Sequence, residues 1–450
     1  MLRVKIGTWN VGSKALKVAD ELLFDLKDWV SCDVDMIVLG FQELIHQLTA
    51  AYNPSLQAAY WKGSLGGNLP NYPRAGDAKI SGLEPWIQLA REALTLQTAR
   101  QDGIKYRLVF AGRFTAMGII VFCRETDAFR LTRLGYGSIG TGLLGVYGNK
   151  GAIGVSLDVT GKTGDFSIAF VTAHLCAHEG ESYCKHRNDE FDSILQTLVF
   201  EDIAGPTPDK NRRTVHFHDV LFLFGDLNYR FKGLKQDDRK WAVDDGLVLQ
   251  MPKRSQVLQF IHDNNISGLL DFDELSYMRL IGHGSVSTFS EPTVAFMPTY
   301  KFETRRGKGE FQPYCRDKYG GKPMPHKVYS EKRLPAYCDR ILFKTSPYEL
   351  RSKKTVEKKP SVGASCYYSC PTYGWSDHVP LIAEFSVRPG ETVNWLLVSQ
   401  KEFDASAVFK ARLWRLWQVN RSLVSIFITT TLVGFLIYYW QLTPNVLISQ

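Results

Sequence analysis

Short apolar runs rich in β-branched and aromatic residues recur along most of the first 390 residues of the 450-residue chain. Val4–Trp9, Met36–Phe41, Gly118–Cys123, Ala152–Val159, Ser167–Thr172 and Val220–Phe224 each have the length and residue types of a buried strand, and turn signals separate them. Several of these neighbours follow one another with no helical stretch between them. That pattern argues against a simple βαβ alternation and for packed mixed sheets flanked by helices. Helices are read at Ala15–Val30, where Leu16, Ala19, Leu22, Leu23, Leu26 and Val30 form one stripe, and at Trp86–Thr98 and Phe191–Phe200. Asn53–Gly82 is rich in Gly, Pro and Asn and reads as a long loop or a lineage-specific insertion. No internal repeat is present.

A hydrophobic fraction of 44% is enough for a sizeable core. The net charge of +8 fits either an anionic partner or simple solubility. The eight Cys residues are scattered without a CxxC pair, so free thiols and a reducing compartment are expected. No secretory signal is expected from MLRVKIGTWNVG. The other end differs, because Ser422–Gln450 carries no charge. Within it, Leu423–Gln441 is long enough to cross a bilayer as a helix, with Tyr438, Tyr439 and Trp440 at its far end. Lys410, Arg412, Arg415 and Arg421 precede it, which keeps the large N-terminal part in the cytoplasm. The competing reading is a buried core helix. The expected organisation is a catalytic domain over 1–386, a juxtamembrane linker over 387–421, a transmembrane helix over 422–441 and a short luminal tail over 442–450. Arg351–Lys359 (RSKKTVEKK) is either an exposed loop or a contact for an anionic surface.

Polar groups cluster where the apolar runs end. Asn10 ends the first run, Glu43 follows MIVLGF, and His174 closes Ser167–Thr172. Asp226 and Asn228 follow VLFLFG, and Asp377 and His378 precede VPLIAEF. Singly, each has a bland reading: a turn residue, a helix-start acid, a hydrogen-bonded structural histidine, a capping pair. Together they combine carboxylates, amides and imidazoles, the set that metal-assisted phosphoester hydrolysis requires. Mg²⁺ favours carboxylate and water oxygen, an Asp can activate water, and imidazolium and amide donors hold developing charge. The chain has no His/Cys cluster with zinc spacing, no GxxxxGK[ST] loop and no C-x5-R pattern, which argues against those routes to phosphate chemistry.

The segments TWNVG (Thr8–Gly12), FQE (Phe41–Glu43), GNKGA (Gly148–Ala152), TAHLCAH (Thr172–His178), FGDLNYR (Phe224–Arg230), PTYKF (Pro298–Phe302), KRLPAYCDRIL (Lys332–Leu342) and SDHVPL (Ser376–Leu381) carry a resemblance. The chain resembles the inositol polyphosphate 5-phosphatases, within the DNase I-like endonuclease/exonuclease/phosphatase superfamily, over about residues 1–386. The resemblance implies an α+β, four-layer sandwich of two packed mixed β-sheets flanked by helices. It implies that Glu43 binds Mg²⁺ with Asn10 beside it. Asp226 would activate the water and Asn228 would position it. His174 and His378 would contact the scissile phosphate, Asp339 would orient His378, and Asp377 would lie near the metal. Arg340 would either support the site or form a structural ion pair. Tyr300, Lys301 and Arg333, with Lys332, fall where the family grips the neighbouring 4-phosphate. Lys150 would contact substrate or brace its loop. Glu331 departs from the family pattern, which often has a basic residue two positions before the Arg.

The expected activity is removal of the 5-phosphate from phosphatidylinositol 4,5-bisphosphate, with the 3,4,5-trisphosphate as a further substrate. The expected partners are the lipid substrate and the membrane, reached through the C-terminal helix and basic loops; nucleic acid and an obligate protein partner are not expected. The layout is similar to tail-anchored members, which points to the endoplasmic reticulum. Two other readings compete: a nuclease of the same superfamily, and an inactive phosphoinositide-binding module.

Overall fold

A computed structural model describes residues 1–13, 29–30, 33–46, 59–63, 65, 82–99, 104–142, 147–162, 164–204, 212–232, 252–303, 329–345, 360–370, 376–390, 409–410 and 413. In chain order the strands are β1 (Leu2–Asn10), β2 (Met36–Gln42), β3 (Ala59–Gly63), β4 (Tyr106–Phe114), β5 (Met117–Arg124), β6 (Phe129–Gly140), β7 (Gly151–Gly161), β8 (Gly164–His174), β9 (Val199–Ala204), β10 (Arg212–Thr214), β11 (Val220–Asp226), β12 (Asp339–Thr345), β13 (Ser361–Ser369) and β14 (Leu381–Arg388). The α-helices with described bounds are α1 (Glu84–Thr98), α2 (Glu181–Thr197), α3 (Arg254–His262), α4 (Ile266–Leu270) and α5 (Glu274–Leu280).

The strands form two 7-stranded sheets, ordered β13-β14-β1-β2-β5-β4-β3 and β10-β9-β6-β7-β8-β11-β12. They stack face to face. Each side chain along a strand points opposite to its neighbour, so a strand buried on both faces must be apolar at every position. In β2, Met36 and Val38 enter the core between the sheets, while Ile37, Leu39 and Phe41 pack outward with Trp86, Ile87 and Leu94 of α1. In β8, Ile168 and Phe170 face the first sheet, while Ala169, Val171 and Ala173 pack outward with Phe191, Ile194 and Leu195 of α2. The result is a helix–sheet–sheet–helix sandwich.

Each sheet contains one parallel pair among the described residues, β1 with β2 and β8 with β11; the other pairings are antiparallel. That feature positions the site. A parallel pair delivers two strand C-termini to the same edge, so Asn10 pairs with Gln42 and Asp226 with His174. The antiparallel neighbours deliver their starts to that edge: Asp339 pairs with Asp226, and Gly151 with His174.

Two expectations are corrected. The helix read over Phe191–Phe200 begins ten residues earlier, at Glu181, because its first half, ESYCKHRNDE, is polar and gives no apolar stripe. It also ends earlier, since Leu198 leaves helical conformation (ψ 120) and Val199–Phe200 belong to β9. The long loop read over Asn53–Gly82 contains β3 on the edge of the first sheet. The helix read over Ala15–Val30 falls outside the described residues except for its last two. Among the described residues no helix is long and apolar enough to cross a membrane. Arg351–Lys359, most of 387–421, and all of 422–450 lie outside them.

Candidate active site

Asp226 is the hub of the edge. It is 1% exposed, and its Oδ2 accepts a hydrogen bond from Asn10 Nδ2 at 2.9 Å. His174 Nε2 lies 3.3 Å from the same oxygen and His378 Nε2 3.7 Å from it. Its other oxygen accepts from the Asn228 amide at 3.1 Å. Asn10 Nδ2 also donates to Glu43 Oε1 at 3.2 Å, so one amide holds two carboxylates side by side. Lys150 Nζ is in hydrogen-bond contact with His174 Nε2.

The backbone here is shaped for that convergence. Gly225 has φ 138, and a Cβ there would run into the Ala173 carbonyl, so only glycine lets β11 approach β8 this closely beside Asp226. Asn228 (φ 56) and Glu43 (φ 54) are both left-handed, a conformation non-glycine residues adopt rarely and often at functional sites. Asn228 is tied down by Nδ2 donating to Leu175 O at 3.0 Å and by Arg230 Nη2 donating to its Oδ1.

His378 is held from three sides. Asp339 Oδ2 lies 2.9 Å from its Nδ1, and Thr299 Oγ1 donates to the same oxygen at 2.6 Å. Trp9 Nε1 donates to its carbonyl at 3.0 Å, and its own amide donates to Ser376 Oγ at 3.2 Å. Ser376 in turn donates to Asn10 O at 2.6 Å, which joins the His378 segment to the end of β1.

Burial alone would lower the His378 imidazole, but the charges of Asp339 and Asp226 overcome it and raise it to about 9. Burial pushes the Asp339 carboxyl up. The Asp339–His378 pair therefore holds its proton firmly. Burial would also raise Asp226, yet His378, His174 and Lys150 hold it well below the usual carboxylate range. Burial lowers the Lys150 ammonium, with Asp226 and Glu43 opposing. A fixed carboxylate sits among cations, the arrangement that suits a water to be activated beside a phosphate to be held.

Asp226, Asp339 and His378 each bring a ligand-type atom within 4.8 Å of the others. A 2.9 Å bond joins His378 Nδ1 to Asp339 Oδ2, so the trio reads as a relay better than as a cation cage. Glu43 differs. Its side chain is 29% exposed, at the solvent side of the cluster, and beyond Asn10 it is touched by Ser13 Oγ at 3.5 Å and His174 at 3.9 Å. Hard oxygen donors at an open rim fit an oxygen-seeking divalent ion.

The remaining predicted residues lie around this cluster or away from it. The Tyr300 ring is 4.6 Å from that of His378, and the Arg230 guanidinium lies 4.3 Å over it. Lys301 Nζ pairs with Asp377 Oδ2 at 2.8 Å. Burial would lower Lys301 and raise Asp377, but the hydrogen bond raises Lys301, while His378 and Lys301 lower Asp377. Lys332 and Arg333 are exposed. Arg340 is fully buried, with Asp273 at 2.7 Å and Glu291 at 2.6 Å. Of its two readings, the structure contains the ion pair; a guanidinium enclosed in that way is not placed to bind substrate.

The sequence alone points to no role for Arg230, Thr299, Ser376 and Trp9, although all four lie in the segments that carry the resemblance. Glu190 gave no signal. It is buried on α2, accepts from Thr141 Oγ1 at 2.8 Å and from the Cys176 amide at 2.6 Å, and so braces two loops at the edge.

Residues 7–384 match the Endonuclease/Exonuclease/phosphatase family 2, and the chain belongs to that family. It is 26% identical over 356 residues to type I inositol polyphosphate 5-phosphatase 8 of Arabidopsis thaliana, covering 76% of this chain and 65% of that protein. It is 24% identical over 420 residues to synaptojanin-2 of Homo sapiens, covering 87% of this chain and 23% of that protein. The chain thus spans less than two thirds of the length of these relatives. Among solved structures, the inositol polyphosphate 5-phosphatase domain of SPsynaptojanin, in complex with inositol (1,4)-bisphosphate and calcium ion, superposes with a TM-score of 0.55 at 20% identity. The match covers 94% of this chain and 92% of that one, and the fold is shared.

Proposed function

We propose that the protein is a Mg²⁺-dependent phosphatase that removes the 5-phosphate of phosphatidylinositol 4,5-bisphosphate, with the 3,4,5-trisphosphate as a second substrate. The observation that carries the reading is the convergence of His174, His378, Asn10 and Lys150 on the buried Asp226 carboxylate, with Glu43 at the open side. Glu43 would hold the ion, with Asn10 and Asp377 nearby. Bound there, Mg²⁺ would neutralise charge on the phosphoryl and leaving oxygens. Asp226 orients the attacking water and takes its proton, and Asn228 keeps the Asp226 carboxylate turned toward it. His174 and His378 donate to the phosphate.

One electrostatic step links these roles. The cations around Asp226 make it a weak base. A phosphate dianion contacting His174, His378 and Lys150 draws that positive charge onto itself. Asp226 then becomes more basic when a water must be deprotonated.

Tyr300, Lys301, Lys332 and Arg333 form the substrate-recognition rim in this reading, which accords with a relative that is a type I inositol polyphosphate 5-phosphatase. In the same proposal the catalytic domain covers 1–386, the linker 387–421, the membrane helix 422–441 and the tail 442–450. Anchoring in the endoplasmic reticulum membrane, with the catalytic part in the cytoplasm, belongs to the same proposal. The test is a panel of phosphoinositide vesicles and soluble inositol phosphates, scored for phosphate release with Mg²⁺ and with a chelator. Mg²⁺-dependent release from the 5-position of the lipids is expected. Equal release without divalent ion, or nicking of plasmid in place of lipid hydrolysis, would sink the reading.

A further inference from the structure

Beneath the cluster lies a second, fully buried layer of charge. Asp273 and Glu274 stand at the start of α5 and are at most 1% exposed. Glu274 Oε2 accepts from Arg187 Nη2 at 2.5 Å and from the Arg230 amide at 2.9 Å. The Glu274 amide donates back to Arg230 O at 2.9 Å, and the Lys232 amide donates to Phe272 O at 2.7 Å. The chain just after Asp226 and Asn228 is thus laddered onto residues 272–274. Arg187 passes the constraint on: its Nη1 donates to His178 O at 2.8 Å and to Cys176 O at 3.3 Å, in the loop that follows His174. Asp273 Oδ2 takes Arg340 Nη1 at 2.7 Å and caps α5 through Ser276 N at 2.9 Å. Arg340 adjoins Asp339, which holds His378.

We propose that Asp273 and Glu274 form a positioning element that fixes three site segments relative to one another: the loop after His174, the Asp226–Arg230 segment, and Asp339 with His378. Neither residue touches the cluster, and their catalytic consequence rests on the hydrolase reading above. Three segments from different strands are tied to two adjacent carboxylates, so a shift at α5 moves all three together. An error near 1 Å in such a constellation costs on the order of 100-fold in rate.

The test joins kinetics to amide hydrogen exchange in Glu274→Ala, Glu274→Gln and Arg187→Gln. For folded Glu274→Ala, kcat is expected to fall on the order of 10- to 100-fold with KM within about twofold. Its amides at 175–178 and 228–232 should exchange faster while β8 and β11 stay protected. Glu274→Gln keeps an acceptor oxygen and should stay within about threefold of the unsubstituted protein. A purely structural role would lower melting temperature and yield but leave kcat of the folded fraction unchanged, and that result overturns the proposal. Equal losses in the Gln and Ala variants overturn the hydrogen-bond account. If Glu274→Ala does not fold, Arg187→Gln carries the test: faster exchange confined to 175–178 with kcat down about 10-fold supports the proposal, and no change overturns it. If the unsubstituted protein releases no phosphate from any substrate, the functional reading fails, and the exchange data alone decide whether the two carboxylates hold these segments.

Discussion

The Asp226 cluster and the segment Glu331–Arg333 both belong to the proposed site, but they are held in opposite ways. Asp226, His174, Asp339 and His378 are at most 4% exposed, and each is fixed by partners from at least one other strand or loop. Glu331, Lys332 and Arg333 are exposed; the ties to their segment run through backbone, with Arg254 donating to the carbonyls of Arg333 and Ser330 at 2.7 Å. The contrast separates two tasks. Chemistry needs atoms placed in advance, in a low dielectric where each charge counts. Recognition of a phosphate at the rim can use long, hydrated side chains that settle when the ligand arrives, at the cost of weaker and salt-sensitive contacts.

The largest effect should come from the hub. Asp226→Ala removes the carboxylate proposed to activate water and the charge that His174, His378 and Lys150 share. Phosphate release should fall by at least about 1,000-fold, while circular dichroism stays that of the folded protein. A variant that turns over normally would remove Asp226 from the mechanism and dissolve the contrast between core and rim.

Asp339→Asn comes next. It leaves the shape of the His378 contact but removes the foremost of the three carboxylates, Asp339, Asp226 and Asp377, that raise the imidazole. Activity should fall about 100-fold. Stability should respond as well. His378 sits near 9 in the folded protein against an ordinary 6.5, so the folded state binds the proton more tightly. The stabilisation is complete below about pH 6.5 and is lost as pH rises through about 9. Melting in the presence of chelator should therefore decline between those values, and Asp339→Asn should flatten the decline. An unchanged profile in the variant would show that Asp339 does not govern His378.

What the sequence disclosed follows the same division between rigid and local features. β2, β8 and β11 were legible because both faces are buried and the runs are apolar throughout. β6, FRLTRLGYGSIG, was not, since its outer positions are interrupted by Arg, Thr and Gly. β13, SVGASCYYS, lies at a sheet edge and is exposed over much of its length. Asn10, Glu43, His174 and Asp226 could be picked out because parallel pairing delivers strand ends to one edge, where a polar residue after an apolar run stands out. Glu190, Asp273 and Glu274 could not. Their partners are Cys176, Arg187, Arg230 and Arg340, brought to them by tertiary packing, and no local spacing records that. The same holds for the ion pair that encloses Arg340.

At the rim the effects should be smaller and of a different kind. Arg333→Ala removes the charge-assisted phosphate contact proposed for this side chain. KM for phosphatidylinositol 4,5-bisphosphate should rise about 10-fold with kcat unchanged. Melting should move by no more than a surface substitution does, within about 0.5 kcal/mol of stability. Lys332→Ala should do less, because an ammonium is a point charge without the planar fork. A fall in kcat would mean that Arg333 reaches the reacting phosphate, and the rim would then belong to the rigid part of the site.

Glu331→Lys should give the smallest change and the sharpest reading of the rim. Glu331 places a negative charge beside Lys332 and Arg333, where a 4-phosphate would bring another. The repulsion acts through water, so reversing the charge is worth about 1 kcal/mol or less at low salt. KM should fall roughly two- to fivefold at low ionic strength, and the gain should vanish near 1 M salt, where the Debye length shrinks to about 3 Å. The comparison substrate is phosphatidylinositol 5-phosphate, which lacks the 4-phosphate and should show no gain beyond general attraction to an anionic surface. An equal gain on both lipids would make Glu331 a reporter of membrane charge. A gain that persists at high salt would place residue 331 in direct contact with the substrate, held as closely as the residues around Asp226.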